Sequence, residues 1–400
     1  MEAKVSKPKL WTKDFVIVSG VNFLLTLVFY LLIVIIGVYA VDEYHASTSQ
    51  AGLATGIFIV GALIGRLFIG RSIDVIGRKR TLFIGLILFI FTTALYFIHL
   101  GITFLLITRF LHGITLGIAS TATGTIVAQI IPKRRKGEGI GYYSMSSTLA
   151  TAIGPFIGLY MIQLTSIQII FSLCLALGIT SLITAFFVNV PTVEGSLKIT
   201  DSKGVKLSQL IEPRAVPIAF ITLIIGFCYS SVLSFINFYA IEVDLVSAAS
   251  FFFLVYSIAV LISRPFTGRL MDVKGANYVM YPAFVLFTAG MLLLGSAHSS
   301  TTLLASGILI GLGFGNMQSC TQAIAVKLTP SHRMGLATST FFIFLDAGLG
   351  FGPYLLGFFL PFTDYSTLYM ILGVLVLVTS GLYFLLHGKK DRAGINAITS

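Results

Sequence analysis

Apolar stretches of about 20 residues or more, the length a helix needs to cross a bilayer, follow one another along the whole chain. They centre near residues 28, 60, 90, 117, 151, 179, 228, 257, 288, 314, 348 and 375, with short polar breaks between them. The pattern predicts twelve transmembrane helices in two groups of six. An outer-membrane barrel would instead show alternating segments of about ten residues. The only sizeable polar stretch, roughly Pro191 to Pro217, divides the groups. The expected organisation is an N-terminal six-helix bundle over 1–190, a cytoplasmic linker over 191–214, and a C-terminal six-helix bundle with a short tail over 215–400. Composition agrees: 56% of the residues are apolar and 10% charged, which a soluble protein cannot sustain. The fold class is therefore an all-α membrane protein.

The polar positions repeat. Gly65-Arg-Leu-Phe-Ile-Gly-Arg-Ser-Ile-Asp-Val-Ile-Gly-Arg-Lys-Arg80 returns 198 positions later as Ser263-Arg-Pro-Phe-Thr-Gly-Arg-Leu-Met-Asp-Val-Lys-Gly-Ala-Asn-Tyr278. The offset also relates Pro132, Arg135 and Gly137 to Pro330, Arg333 and Gly335, Gly113 and Gly117 to Gly311 and Gly315, and Gly154-Pro155 to Gly352-Pro353. Helices 1 and 7 match more weakly, Tyr39-Ala40 answering Tyr239-Ala240 after a two-residue shift. Both copies of the motif lie on the same side of the membrane, so the halves are parallel repeats related by an axis along the membrane normal.

Net charge +11 raises nucleic acid as a partner, but placement decides against it. Every Lys and Arg except Arg109 falls on one side of the predicted spans, while the opposite loops carry Asp42, Glu43, Glu242, Asp244 and Asp364. By the positive-inside rule both termini and the linker are expected to be cytoplasmic. The apolar run from Phe15 to Ala40 is too long for a signal peptide and is expected to stay as helix 1. Cys174, Cys228 and Cys320 all lie inside spans and offer neither a disulfide framework nor a metal cluster. No nucleotide-binding Gly-x-x-x-x-Gly-Lys-Ser/Thr loop occurs, and no soluble part is large enough for a catalytic domain. An enzyme and a self-contained ATP-driven pump are thereby excluded, and no cofactor or metal is expected.

The loop between helices 2 and 3 reads Gly70-x-x-x-Asp74-x-x-Gly77-Arg78-Lys79, and its second copy supplies Arg264, Gly268, Asp272 and Gly275. Its glycines permit a sharp helix end, and its aspartate can take hydrogen bonds from a neighbouring helix N-terminus or pair with arginine. Such a latch would break when the halves rock; topogenic charges beside a tight turn are the alternative. Arg78-Lys79 become Ala276-Asn277 in the second copy, so the first loop is expected to latch more strongly.

This run resembles motif A of the major facilitator superfamily, and the resemblance covers essentially the whole chain. Leu106-x-x-Arg109-x-x-His112-Gly113-x-x-x-Gly117 resembles motif B. Gly141, Ala150, Gly154, Pro155 and Gly158 resemble motif C, the pattern associated with antiporters. Two residues depart from the patterns: Ala150 replaces a glycine, and His112 replaces the common glutamine. The resemblance implies the major facilitator fold, with helices 1, 4, 7 and 10 lining a central cavity. It also implies a secondary transporter working by alternating access, resembling bacterial drug/proton antiporters that export small amphipathic compounds, and hence residence in the plasma (inner) membrane of a bacterium. Export of one endogenous metabolite such as a metallophore or amino-acid derivative, import of a sugar or organic acid, and a non-transporting receptor or scaffold remain as alternatives. The implied partners are membrane lipid, a small-molecule substrate and protons, and the protein is expected to act as a monomer.

Only Arg109 in helix 4 and Asp346 in helix 11 read as charged well within the spans, and charge at that depth marks a functional site. The repeat places Gly307 and Thr148 opposite them, so folding symmetry does not require either. Asp346 is expected to exchange a proton with the cavity and Arg109 to supply fixed positive charge. The alternative is a structural Arg-Asp or Arg-carbonyl contact. His112, one turn from Arg109, could relay protons or be a hydrogen-bonded packing residue. Asn22 and Tyr30 on helix 1, Tyr229 and Asn237 on helix 7, and Asn316, Gln318 and Gln322 on helix 10 complete the expected cavity, with Arg109 among them.

Overall fold

A computed structural model describes residues 9–46, 48–191, 210–357 and 359–389. It has twelve long membrane-competent helices: α1 (Lys13–Tyr44), α2 (Thr48–Ile76), α3 (Arg78–Ala94), α4 (Ile102–Ile130), α5 (Lys136–Leu164), α6 (Ile167–Phe186), α7 (Val216–Glu242), α8 (Val246–Lys274), α9 (Asn277–Gly295), α10 (Ser300–Lys327), α11 (Met334–Gly357) and α12 (Tyr365–Tyr383). Among the described residues there is no strand, as backbone satisfaction in lipid requires of an open chain. Of the expected linker over 191–214, residues 192–209 lie outside the described residues.

The helix ends follow from local chemistry. Thr12 Oγ1 accepts the Phe15 amide at the start of α1, Asp364 accepts the Thr367 amide at the start of α12, and Ser299 with Thr302 forms a capping box at α10. Gly77 (φ 98°) and Gly275 (φ 96°) turn the chain between α2 and α3 and between α8 and α9. Both backbones require the positive-φ region that only glycine enters cheaply, which is why the repeated motif ends on glycine.

Each half packs by the same rule, and the repeat in sequence becomes a repeat of contacts. A Cβ on Gly113 or Gly117 would overlap the carbonyl oxygens of Phe58 and Ala62, so α4 lies directly on α2. In the second half Gly311 meets the Tyr256 carbonyl and Gly315 meets Val260, the equivalent positions of α8. Small residues allow this close approach in lipid, where van der Waals packing replaces the hydrophobic drive between helices. The copies differ in one respect: a π-type turn over Gly311–Gly315 interrupts α10, whereas α4 runs unbroken. The halves meet along two seams, α2 against α11 and α5 against α8, with the second part of α10 (Asn316–Lys327) also against α5.

Candidate functional site

The α2/α11 seam brings together Arg66 and Asp346, with Arg66 Nη1 3.1 Å from Asp346 Oδ2. Arg66 lies within the apolar part of α2, between Leu67-Phe68-Ile69 and Gly65-Ile64, and is only 6% exposed. Its guanidinium stacks 4.5 Å over the Phe342 ring and donates from Nη2 to Ser120 Oγ at 3.4 Å. Ser339 of α11 donates to the Arg66 carbonyl at 2.5 Å, so backbone as well as side chain joins the halves here. Asp346 keeps 17% of its side chain accessible, and Tyr30 of α1 faces it, half-buried. The expectation that Arg66 is a loop charge is thus corrected: it sits inside the span and is the partner of Asp346.

Behind this pair lies a polar knot inside the N-terminal half. Asn22 Nδ2 donates to Ser146 and Ser147 at 2.9 Å each, while Asn22 Oδ1 accepts from the Tyr143 hydroxyl at 2.9 Å and from Thr123 at 3.3 Å. Asn22 is fully engaged in tying α1 to α4 and α5. The second half offers a counterpart without an acid. Arg264, 1% exposed, donates to the Gly315 carbonyl at 2.9 Å and reaches the Gly141 carbonyl of α5 at 3.5 Å. Thr148 occupies the position equivalent to Asp346, and among the described residues Arg264 forms no ion pair. Asn316 bonds Ser263, Thr267 and the Leu312 carbonyl, and Tyr229 stacks 4.0 Å from Phe314 and 5.5 Å from Tyr256. Gln322 is buried and Gln318 half-buried on the same helix, and the side chain of Asn237 lies outside the described residues.

Arg109 does not join this group. It is fully buried and bonds within its own half, Nε to the Ala54 carbonyl at 3.0 Å and Nη1 to the Tyr96 hydroxyl at 3.3 Å, with Phe58 4.4 Å below. The Arg-carbonyl contact is the alternative that the structure favours over a charge facing Asp346. His112 sits in the same pocket, Nδ1 3.1 Å from the Tyr96 hydroxyl and Nε2 3.3 Å from Thr93 Oγ1, between the Phe58 and Phe89 rings. These bonds are complete with a neutral imidazole.

The two copies of the loop motif grip opposite halves. Asp74 accepts from Arg78 at 2.7 and 3.0 Å and from the Gly335 amide, at the start of α11, at 3.2 Å. Arg78 reaches on to the Ser331 carbonyl at 2.6 Å. Asp272 accepts the Gly137 and Glu138 amides, at the start of α5, at 2.8 Å each, and pairs with Lys327 at 2.8 Å. A carboxylate at a helix N-terminus satisfies otherwise open N–H groups and meets the positive end of the helix dipole. Gly70 against Ser339 and Gly268 against Glu138 leave no room for a Cβ, which lets the seams close. The expectation of a stronger first latch is not met: Lys79 turns to the Val188 carbonyl of its own half, but Arg78 crosses to Ser331. Each latch thus makes two cross-half hydrogen bonds, the Gly335 amide and Arg78 at the first and the Gly137 and Glu138 amides at the second.

In α5, Gly154 lies against Tyr30 and Leu31 and Gly158 against the Leu31 carbonyl, with Ala150 buried and Pro155 inside the helix. Gly348 and Gly352 seat α11 on α7 in the same manner. The small-residue stripes pack helices within each half, and Gly141 alone of that set faces the other half, across from Arg264.

The family model for the Major Facilitator Superfamily matches residues 18–271 and 245–398. The chain belongs to the major facilitator superfamily. An uncharacterized MFS-type transporter of Methanocaldococcus jannaschii is 25% identical over 382 residues, covering 94% of this chain and 96% of that one. Multidrug resistance protein 1 of Bacillus subtilis is 25% identical over 325 residues, 78% of this chain and 81% of its own. Among solved structures, the transporter FucP in the outward conformation superposes with a TM-score of 0.77 at 15% identity, covering 94% of this chain and 98% of FucP. At that identity the likeness establishes the fold. In this member of the superfamily both copies of the loop motif make cross-half hydrogen bonds. What sequence reasoning missed is Arg66 as a site residue. The signal was present, since Arg66 is flanked by apolar residues and stands four positions before Gly70, a full turn inside the span.

Proposed function

We propose that this superfamily transporter is a proton-coupled exporter of small amphipathic compounds, resident in a bacterial plasma membrane with both termini cytoplasmic. The observation that carries the reading is the Arg66–Asp346 pair, an ion pair between the halves partway along both helices. Under the orientation given by the basic loops, the latches at Asp74 and Asp272 hold the cytoplasmic end shut. Alternating access then requires the cross-half attachments to part together: the two latches, the central pair and the Arg264–Gly141 contact.

Asp346 is the group a proton can neutralise at that point. A protonated Asp346 no longer holds the Arg66 guanidinium by charge, which weakens the α2/α11 seam and favours opening to the cytoplasm. Release of the proton there restores the pair and the closed seam. The multidrug resistance protein of B. subtilis among the relatives supports export, and the motif C resemblance points the same way. The test is Asp346→Asn in reconstituted vesicles under a pH gradient. Proton-driven export should vanish in protein that still folds, with the melting temperature lowered because Arg66 loses its counter-charge; undiminished export would remove Asp346 from the mechanism.

A further inference from the structure

The central ion pair is incompletely used on both sides. Among the described residues, Arg66 Nε has no acceptor and Nη1 meets only Asp346 Oδ2, although the side chain is more than nine-tenths buried. The contact to Asp346 is one nitrogen against one oxygen at 3.1 Å, not the parallel two-bond fork that guanidinium and carboxylate can form. The groups facing the pair are Tyr30 from α1 and Tyr143 from α5, with Tyr229 of α7 beyond Tyr30. None of these is charged at neutral pH. The site therefore presents one cation and one anion side by side in a low-dielectric seam, each with spare capacity.

Consider what each class of ligand does to such a pair. A cation drawn to Asp346 leaves Arg66 buried without its counter-charge. An anion drawn to Arg66 leaves Asp346 in the same position, and its most direct relief is to take up a proton. Anion and proton would then bind together, which is the linkage of co-transport and not of exchange. Only a ligand bearing both signs opens the pair and leaves neither charge orphaned, and uncompensated buried charge is the costly case.

Resting on the export reading above, we propose that the substrate is zwitterionic: a small molecule with an ammonium and a carboxylate on an apolar body, of the amino-acid-derivative class. Its carboxylate takes the Arg66 Nε/Nη2 edge, where Nε has no acceptor and Nη2 is held only by Ser120 at 3.4 Å, and its ammonium takes Asp346. The aromatic rings of Tyr30 and Phe342 meet the apolar part. Ammonium and proton compete for the same carboxylate, so loading with one expels the other. That competition is the requirement for antiport. It makes the exchange electrogenic, with one positive charge entering per zwitterion released. A monocation exchanged for one proton would instead move no net charge.

The experiment uses the purified full chain and matched triplets of probes on phenylalkyl, indolylalkyl and octyl bodies. Each body is presented as the amino acid, the amine and the acid. Binding is read as a shift in melting temperature in detergent, and exchange as substrate-driven proton flux in proteoliposomes against protein-free vesicles, with and without an imposed potential. The expected result is a zwitterion signal at least about tenfold above the amine and the acid, accelerated by a potential that is negative inside. The Arg66→Gln/Asp346→Asn double variant, which removes both charges and orphans neither, should melt normally and bind no zwitterion. Amines or acids equal to or better than zwitterions, no binding by any zwitterion, or unchanged zwitterion binding by that double variant overturns the proposal. Zwitterion binding without proton flux would overturn the proton-coupled reading and leave the substrate class standing. Proton flux with amines alone would do the reverse.

Discussion

Asp74 and Asp272, 198 positions apart in sequence, each cap the first turn of a helix that belongs to the opposite half. Asp74 holds α11 and Asp272 holds α5. The relation makes each repeat a donor and a receiver of the same contact, and the transport cycle proposed above requires the two latches to form and break together.

A first prediction concerns the balance between them. Asp272→Ala removes two cross-half amide bonds and Asp74→Ala one, so loss of Asp272 should weaken the closed state at least as much. Each loss should cost about 0.5–2 kcal/mol, the range for removing a helix-capping side chain. Spin-label distances across the basic end report the population that opens. A clearly larger effect of Asp74→Ala would restore the asymmetry expected from Arg78-Lys79.

The central pair makes a prediction about stability. Arg66→Met leaves Asp346 without its counter-charge and should cost up to about 3–5 kcal/mol, the range for breaking a buried pair from one side. The partial exposure of Asp346 puts the expectation at the lower end. Arg66→Met combined with Asp346→Asn should recover most of that loss, because no charge is left alone. Melting curves in one detergent give both values; failure of the second change to rescue would show that Arg66 acts through packing on Phe342 instead.

Helix contact through glycine is directly measurable. Gly113→Ala forces α4 off the Phe58 carbonyl and should cost about 1–3 kcal/mol, as overpacking does. Gly311→Ala should do the same through Tyr256 in the other half. Gly20→Ala has open space around it and should be neutral or gain up to about 0.5–1 kcal/mol, since alanine is the better helix former. Equal losses at all three would mean that backbone propensity, not contact, governs these positions.

His112 is predicted to be a packing residue. His112→Gln keeps a hydrogen-bonding side chain between Tyr96 and Thr93, so transport should keep its pH profile over about pH 5–8, where histidine titrates. A profile flattened by this change would reinstate the relay.

The repeated features were the legible ones. Gly113 with Gly117 and Gly77 with Gly275 announce themselves because a glycine that a backbone or a carbonyl demands must recur wherever that geometry recurs. Arg109 and Asp346 stood out for the opposite reason, as unmirrored charges, yet only one of them reaches the seam. Spacing along α4 places Arg109 at a depth in the membrane but does not say which neighbour its long side chain turns to. The Ala54 carbonyl and the Tyr96 hydroxyl, both in its own half, claim it.

The sequence by itself determined the twelve spans, the duplication, the placement of charge on one side and the glycine contacts within each half, because these depend on local composition and a fixed offset. Only the tertiary structure decided that Arg66 belongs to Asp346. The two residues lie in different halves and in different repeat contexts, one mirrored and one not, so no periodicity links them. They meet because the latches and the glycine-lined seam press α2 against α11. There the opposite charges face each other on adjoining helices and pair across the seam, whereas Arg109 has acceptors within reach in its own half.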